Sequence, residues 1–250
     1  MKKVIFSLFT VSAILLTGCL ETIQEITLNV DGTGTYVNTN DMGKIIGIAK
    51  NFGMASGDKL PQESIDTSFS IAALADSMTK LTQEEKEMMK KGSLHLSIDM
   101  GKEVFVTKMS FPFTSLDEIQ MINKLSGKLM METMNGQMPS ELPMGMGALP
   151  EQSSFDDYYS VEFSNGEIKK KLDKKKYAEV DKDEYLNGLK QAGAMGIPVI
   201  STFIINLPRP AEKAEGKNLK LSDDKMKVTV LSSMDDFFDN PESLEFKIKY

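Results

Sequence analysis

The chain has 250 residues, of which 41% are hydrophobic and 26% are charged, and its formal net charge is −7 at pH 7. This hydrophobic fraction can form a core, so the composition excludes a generally disordered chain. The acidic charge argues against nucleic acid as a partner, because phosphate backbones bind basic surfaces. A single cysteine excludes internal disulfides and a cysteine-based metal site.

The first 19 residues have the three-part pattern of a secretory signal. Lys2 and Lys3 supply a positive start, and residues 4–16 form a mostly apolar run. The small Gly18 then precedes Cys19. The apolar run is too short to span a membrane as a helix. An ordinary secretory signal that happens to end at a cysteine is the alternative interpretation.

The end of this signal, Leu16-Thr17-Gly18-Cys19, resembles the lipobox of bacterial lipoproteins. The resemblance implies that residues 1–18 are cleaved. Cys19 then carries diacylglycerol on its sulfur and an acyl chain on its amine. It also implies a cell-envelope location rather than a cytoplasmic one, and Leu20 after the cysteine favours the outer membrane. The mature chain would have 232 residues, and its 27 basic and 36 acidic residues would give a net charge of −9.

The next segment, residues 19–25, is predicted to be the lipidated N-terminus and a short tether. Residues 26–250 are predicted to form a single domain. Its first element is a strand, because Ile26, Leu28 and Val30 alternate with polar residues. The turn sequence at 31–34 predicts a hairpin with a second strand at residues 35–37. Asp41 is then expected to cap a short helix.

The middle of the chain is predicted to contain a short helix within residues 65–78, followed by two helices around a second hairpin. The first of these two helices covers residues 84–91 and begins at a capping box that starts with Thr82. The hairpin pairs residues 94–100 with residues 103–113. A capping box at Ser115 begins the second helix. Its apolar face is predicted at Leu116, Ile119, Ile122, Leu125 and Leu129.

The segment at about 131–152 is rich in Met, Gly and Pro and is predicted to be a long loop. Methionine thioethers are ligands for copper(I), so a copper(I) site is the least favoured functional hypothesis. The favoured interpretation is a Met-rich loop with no metal, because no His or Cys lies near these residues. The methionines concerned are Met121, Met130, Met131, Met134, Met138, Met144 and Met146.

The C-terminal part is predicted to be richest in strands. Asn165-Gly166 predicts a hairpin between residues 159–164 and 167–172. An amphipathic helix follows at 181–192, and residues 197–207 resemble a central buried strand. Two further strands are predicted at 226–230 and 244–250, and the last of these should bury Leu244, Phe246 and Ile248.

Six lysines lie close together near the third hairpin. They could contact an anionic membrane surface, at about 1 kcal/mol each. The favoured interpretation is an edge strand that lysines keep soluble. The residues concerned are Lys169, Lys170, Lys171, Lys174, Lys175 and Lys176. The single histidine, His95, is predicted to be a solvent-facing strand residue.

The hairpin connectivity predicts an α+β fold, with a mostly antiparallel sheet and helices packed on one face. The C-terminal segment 204–249 contains Asn206-Leu207-Pro208 and a Ser222-Asp223-Asp224-Lys225 turn. Together with Cys19 and the first hairpin, this plan resembles LppM-like bacterial lipoproteins. The resemblance implies an envelope domain without established catalysis, and it assigns a role to Cys19 alone.

From these patterns we expect a lipid-anchored, non-enzymatic structural or interaction module that needs no cofactor. The alternative is a binder or carrier of an apolar ligand or lipid, held between a curved sheet and its helices. The expected partners are the membrane, through the N-terminal anchor, and either an envelope protein or an apolar ligand. No nucleic acid partner is expected.

Overall fold

The computed structural model describes residues 20–44, 47, 64–78, 81–137, 153–194 and 198–250. Its strands are β1 Leu20–Leu28, β2 Gly34–Asp41, β3 Ile65–Ser70, β4 Ser93–Asp99, β5 Val104–Phe113, β6 Tyr159–Ser164, β7 Glu167–Leu172, β8 Val199–Asn206, β9 Lys213–Gly216, β10 Leu219–Leu221, β11 Lys227–Ser233 and β12 Phe246–Lys249. The helices with complete bounds are α1 Ala72–Ser77, α2 Gln83–Lys91, α3 Glu118–Gln137, α4 Lys174–Tyr177, α5 Glu184–Ala194 and α6 Met234–Asp239.

The strands form two sheets. The large sheet has eight strands in the order β10-β11-β8-β1-β2-β5-β4-β3, and the small sheet has four in the order β6-β7-β12-β9. Every pair is antiparallel except β1 with β8. The predicted α+β class with mostly antiparallel strands is confirmed, and all three predicted hairpins are present as β1–β2, β4–β5 and β6–β7.

One face of the large sheet is buried. Alternate residues along its strands point inward, and they form one core cluster with α3 and with the inner face of the small sheet. The predicted apolar face of α3 is confirmed, since Ile119, Ile122, Leu125 and Leu129 are at most 2% exposed. The buried face is therefore covered partly by helices and partly by a second sheet, which the sequence patterns did not separate from the first.

A second, smaller cluster holds the short C-terminal helices. Phe237 of α6 stacks on Phe155, with ring centroids 4.7 Å apart, and packs edge-on against Tyr177 of α4. Val199 at the start of β8 and Met234 at the start of α6 belong to the same cluster. The cluster therefore places α4 and α6 beside the ends of β8 and β11.

The predicted tether at residues 19–25 is wrong for every residue that the structure describes. Residues 20–25 belong to β1, which pairs with β2 on one side and β8 on the other. The inward positions here are Thr22 and Gln24, which are polar. They remain hydrogen-bonded, with Thr22 donating to Asn40 and Gln24 donating to Asn123. A buried strand with polar inward residues shows no hydrophobic alternation, so its sequence resembles a linker.

The predicted Met-rich loop also needs correction. Helix α3 continues to Gln137, so residues 131–137 are helical. Methionine is a good helix former and no proline interrupts this stretch, so the helix that begins at Glu118 can propagate through it. Residues 138–152 lie outside the described residues, as do Cys19 and most of the helix expected after Asp41.

Candidate functional site

A cleft of about 260 Å³ lies where the two sheets meet the first half of α3. Its apolar side chains come from all three parts, with Ile26 and Phe203 from the large sheet, Ile119 from α3, and Val161 and Phe163 from the small sheet. These residues converge because each lies on the inward register of its own element. The same arrangement brings several polar and charged side chains to the cleft.

Three hydrogen-bonded residues form the polar floor of the cleft. The Tyr36 hydroxyl donates to Asn123 Oδ1 at 2.8 Å, and Gln24 Nε2 donates to the same oxygen at 3.3 Å. Burial is the main cause that raises the pKa of Tyr36 above its usual range, so the hydroxyl stays a donor. Asn123 Nδ2 and Gln24 Oε1 have no hydrogen-bond partner in the described part of the chain. The floor can therefore offer one donor and one acceptor to a ligand.

A buried ion pair forms one wall. Lys170 Nζ lies 2.6 Å from Asp156 Oδ1 and 4.5 Å from the centre of the Tyr159 ring. Lys170 is only 4% exposed because it occupies an inward position of β7. A buried ammonium group needs such partners, since an unpaired charge in the interior is strongly unfavourable. Tyr159 is anchored in turn by donating its hydroxyl to the Pro241 carbonyl at 2.8 Å.

The other charged groups at the cleft surround Asp157. Burial, the main cause, raises the pKa of the Asp157 carboxyl, although the hydrogen bond from the Ser154 backbone N–H opposes the shift. Lys176 Nζ donates to the backbone carbonyl of Asp157 at 3.2 Å. Lys124 of α3 is exposed and acts electrostatically on the same carboxyl. The cleft therefore presents both signs of charge beside an apolar wall.

The structure places the six predicted lysines in different environments. Lys170 is buried and Lys176 lines the cleft. Lys169 and Lys171 lie on the outer face of the small sheet, and Lys169 Nζ is 3.9 Å from Glu162. Lys174 pairs with Glu242 at 2.8 Å. The remaining residue, Lys175, is exposed on α4.

The edge-strand interpretation of these lysines is wrong, because β7 pairs with β6 on one side and β12 on the other. Lys170 is also excluded as a membrane contact by its burial. His95 lies half-buried on β4, where its Nδ1 is 2.9 Å from Ser68 Oγ. Within the described ranges, no group of three or more His, Cys, Asp or Glu could hold a metal. The copper(I) hypothesis stays untested, because Met138, Met144 and Met146 lie outside those ranges.

The cleft residues Gln24, Tyr36, Asn123 and Asp156 were not recognised from the sequence. One signal was available, since Asn38 and Asn40 continue the inward register of Tyr36 and would be buried polar residues. A run of polar residues at inward positions is typical of a functional or hydrogen-bonded interior rather than of a simple core.

Comparison with known proteins gives little further information. No protein family matches the sequence, and no curated protein matches it. Among solved structures, the NMR structure of the folded domain of Mycobacterium tuberculosis LppM aligns with 93% of this chain and 91% of that domain. The TM-score is 0.33 and the sequence identity is 8%. The LppM domain is thus a structural neighbour at a level that supports no argument about fold or function. No described helix is long and apolar enough to cross a membrane.

Proposed function

We propose that this chain is a lipid-anchored, non-enzymatic protein of a bacterial cell envelope, attached through Cys19, with the outer membrane as the favoured location. Its folded part would act as an interaction module. The lipobox-like sequence 16–19 supports the anchor, because it follows a positive start and an apolar run at the right depth. The proposed chemistry places three acyl chains on one residue, and more than one chain is needed for stable attachment.

A second candidate function is the binding of a small amphiphile in the cleft. The observation that supports it is the apolar wall of Ile26, Ile119 and Phe203 beside the polar floor at Asn123. A cavity of about 260 Å³ lies just below the usual range for small-molecule sites, roughly 300–1,000 Å³. A single acyl chain or the end of a larger ligand fits this size better than a two-chain lipid does.

The charged groups of the cleft favour binding over reaction. Lys170 is held between Asp156 and the Tyr159 ring, so its ammonium group is committed to a structural contact. Asp173, another residue of the cleft, accepts hydrogen bonds from the backbone of Lys175 and Lys176 at the start of α4. These contacts hold Lys170 and Asp173 in place, and the donor and acceptor of the floor are available to a ligand.

The anchor is tested by labelling cells with a fatty acid and fractionating the wild type and Cys19→Ser at low and high salt. The wild type should incorporate label and remain with the membranes under both conditions, because buried acyl chains are insensitive to ionic strength. Cys19→Ser should incorporate no label, and it should be released or remain as uncleaved precursor. An unlabelled wild type that is processed at another site would contradict the proposed anchor.

The cleft is tested by native mass spectrometry of the Cys19→Ser chain after incubation with dodecanoic acid or monododecanoylglycerol. A bound mass should be seen, and Val161→Trp should abolish it, because the larger ring fills the cleft. Val106→Trp is the matched control, since Val106 is half-buried on the opposite face of the large sheet. If the protein with an unsubstituted cleft shows only its own mass, amphiphile binding is excluded. The interaction module then remains as the proposed function.

A further inference from the structure

The first described strand begins at the residue that directly follows the proposed anchor, so no flexible linker separates the anchor from the fold. β1 pairs from its first residue, with Leu20 opposite Val199 of β8 and Glu21 opposite Asp41 of β2. Cys19 is joined to Leu20 by one peptide bond, which separates their Cα atoms by about 3.8 Å. The residue that would carry the lipid is therefore adjacent to a strand in the middle of the large sheet.

Several strands of this sheet end at the same level as Leu20. The strand registers place the end of β2, the starts of β5 and β8 and the end of β11 at one border of the sheet. The β4–β5 turn at residues 100–103 follows directly beyond Asp99. We call this border the anchor-side rim and define it by Leu20, Asp41, Asp99, Val104, Val199 and Ser233.

We infer that the anchor-side rim lies against the headgroup layer of the membrane, with the strands of the large sheet rising away from it. This inference rests on the proposed lipid anchor. Acyl chains would hold Cys19 at the boundary between headgroups and hydrocarbon, so Leu20 would lie within the headgroup layer. A strand that is hydrogen-bonded on both sides cannot bend away, so the whole sheet takes its orientation from β1.

The charges near the rim fit a zwitterionic lipid surface. Glu21 and Asp41 lie directly opposite each other, and Glu103 is in the adjacent turn. Lys102 is exposed in the same turn, where its Nζ lies 2.8 Å from Asp99. Carboxylates can meet the ammonium part of a zwitterionic headgroup, and a lysine can meet its phosphate. A strongly anionic surface would repel the rim carboxylates.

The same geometry sets the height of the cleft. Gln24 and Ile26, which line it, follow Leu20 by four and six residues along β1. At about 3.3 Å per residue, the cleft lies no more than about 13 to 20 Å from the start of the strand. The cleft is then above the headgroups and within reach of a lipid-derived ligand without being immersed in the bilayer.

Site-directed labelling tests this orientation, because Cys19 is the only native cysteine and would be acylated. The lipidated Asp41→Cys and Val30→Cys proteins would each carry a fluorophore in phosphatidylcholine vesicles with a nitroxide on the headgroup. Val30 is 78% exposed in the turn at the opposite end of the β1–β2 hairpin. The label at position 41 should be strongly quenched, and the label at position 30 should be unaffected. The label at Lys102→Cys, in the β4–β5 turn, should be quenched as strongly as the label at Asp41→Cys. This second position shows that the quenching does not arise from a local effect of one substitution.

A ten-residue Gly/Ser insertion between Cys19 and Leu20 is the matched control, because it adds about 16–19 Å of flexible reach. The insertion should remove most of the difference in quenching between positions 41 and 30, while the incorporation of fatty acid stays unchanged. Equal quenching at positions 41 and 30 in a fatty-acid-labelled protein without the insertion would overturn the proposed orientation alone. A protein that incorporates no fatty acid would refute the anchor and this inference together.

Discussion

At the scale of single residues, the cleft shows how burial changes the meaning of a charged side chain. Lys170 belongs to a run of three lysines that looks uniformly solvent-exposed in the sequence. In the fold its neighbours Lys169 and Lys171 lie on the outer face of β7, and Lys170 alone points inward to Asp156. The alternation of a strand therefore divides one basic run into surface charges and a buried ion pair.

This ion pair leads to a stability prediction. Asp156→Ala should lower the free energy of unfolding by about 3 kcal/mol, because it leaves the Lys170 ammonium buried without its partner. The value is at the low end for buried pairs, since the Asp156 side chain is itself 21% exposed. Urea denaturation of the Cys19→Ser chain measures the change.

The matched control is Glu242→Ala, which breaks the exposed pair with Lys174 and should leave the unfolding midpoint unchanged. A double variant, Asp156→Ala with Lys170→Met, should recover part of the loss because the unpaired charge is gone. Equal effects of Asp156→Ala and Glu242→Ala would show that Lys170 is not buried in solution.

The Asp157 carboxyl leads to a prediction about pH. Its folded-state pKa is raised above the usual value of 3.8, mainly by burial. In the window above 3.8 the folded state binds more protons than the unfolded state, so this group makes stability fall as pH rises. Asp157→Asn should remove that contribution and make the protein at least as stable as the wild type at pH 7.

The measurement is the difference in urea midpoint between the wild type and Asp157→Asn from pH 3 to pH 7. Asp223→Asn, at an exposed turn position away from the cleft, is the control for the chemical change from Asp to Asn. A wild type that gains stability relative to Asp157→Asn as pH rises would contradict the raised pKa.

At the scale of secondary-structure elements, β12 is predicted to be essential to the core. It lies between β7 and β9 in the small sheet, and Ile248 is fully buried. Ile248→Ala should lower the free energy of unfolding by about 2–5 kcal/mol through lost burial and a residual cavity. Lys249→Ala, next along the strand and exposed, is the control and should have little effect.

Deletion of residues 243–250 should be more severe and should leave no cooperative thermal transition. It removes the central pairing of the small sheet and the buried side chains of Leu244 and Phe246. A truncated chain with the full transition of the parent protein would show that the small sheet does not depend on β12.

At the scale of the whole molecule, β1 connects the N-terminal and C-terminal parts of the fold. It forms a parallel pair with β8, and Asn206 Nδ2 donates to Glu25 Oε1 across 181 residues of sequence at 2.7 Å. The strand is central, so removing it would leave β2 and β8 without their shared neighbour.

Deleting residues 20–25 from the Cys19→Ser chain should therefore abolish cooperative unfolding. Circular dichroism during heating measures the thermal transition. Ile23→Ser is the control, because Ile23 lies half-buried on the outer face of the large sheet and its replacement should preserve the transition. A deletion that keeps the parental transition would restore the interpretation of this segment as a tether.

The sequence by itself determined the elements whose signals are local. The turns at Asp31-Gly32 and Asn165-Gly166 give hairpins in which both glycines have positive φ, at 84° and 96°. The capping box of α2 is formed between Thr82 and Glu85 as expected. Each of these signals acts over two to four residues, so it survives in any tertiary context.

Only the tertiary structure decided that residues 20–25 form a strand, that β7 is an interior strand and that Gln24, Tyr36 and Asn123 meet in a cleft. These outcomes depend on which distant strands pair, and Gln24 and Asn123 are 99 residues apart in sequence. Strands that are so far apart in sequence pair because their pairing buries the assembled core. Where the inward positions are polar, the sequence has no hydrophobic alternation from which the strand could be predicted. The local sequence of a segment therefore predicts its turns and caps. The strands and helices that pack against the segment decide whether its polar side chains face water or a cleft.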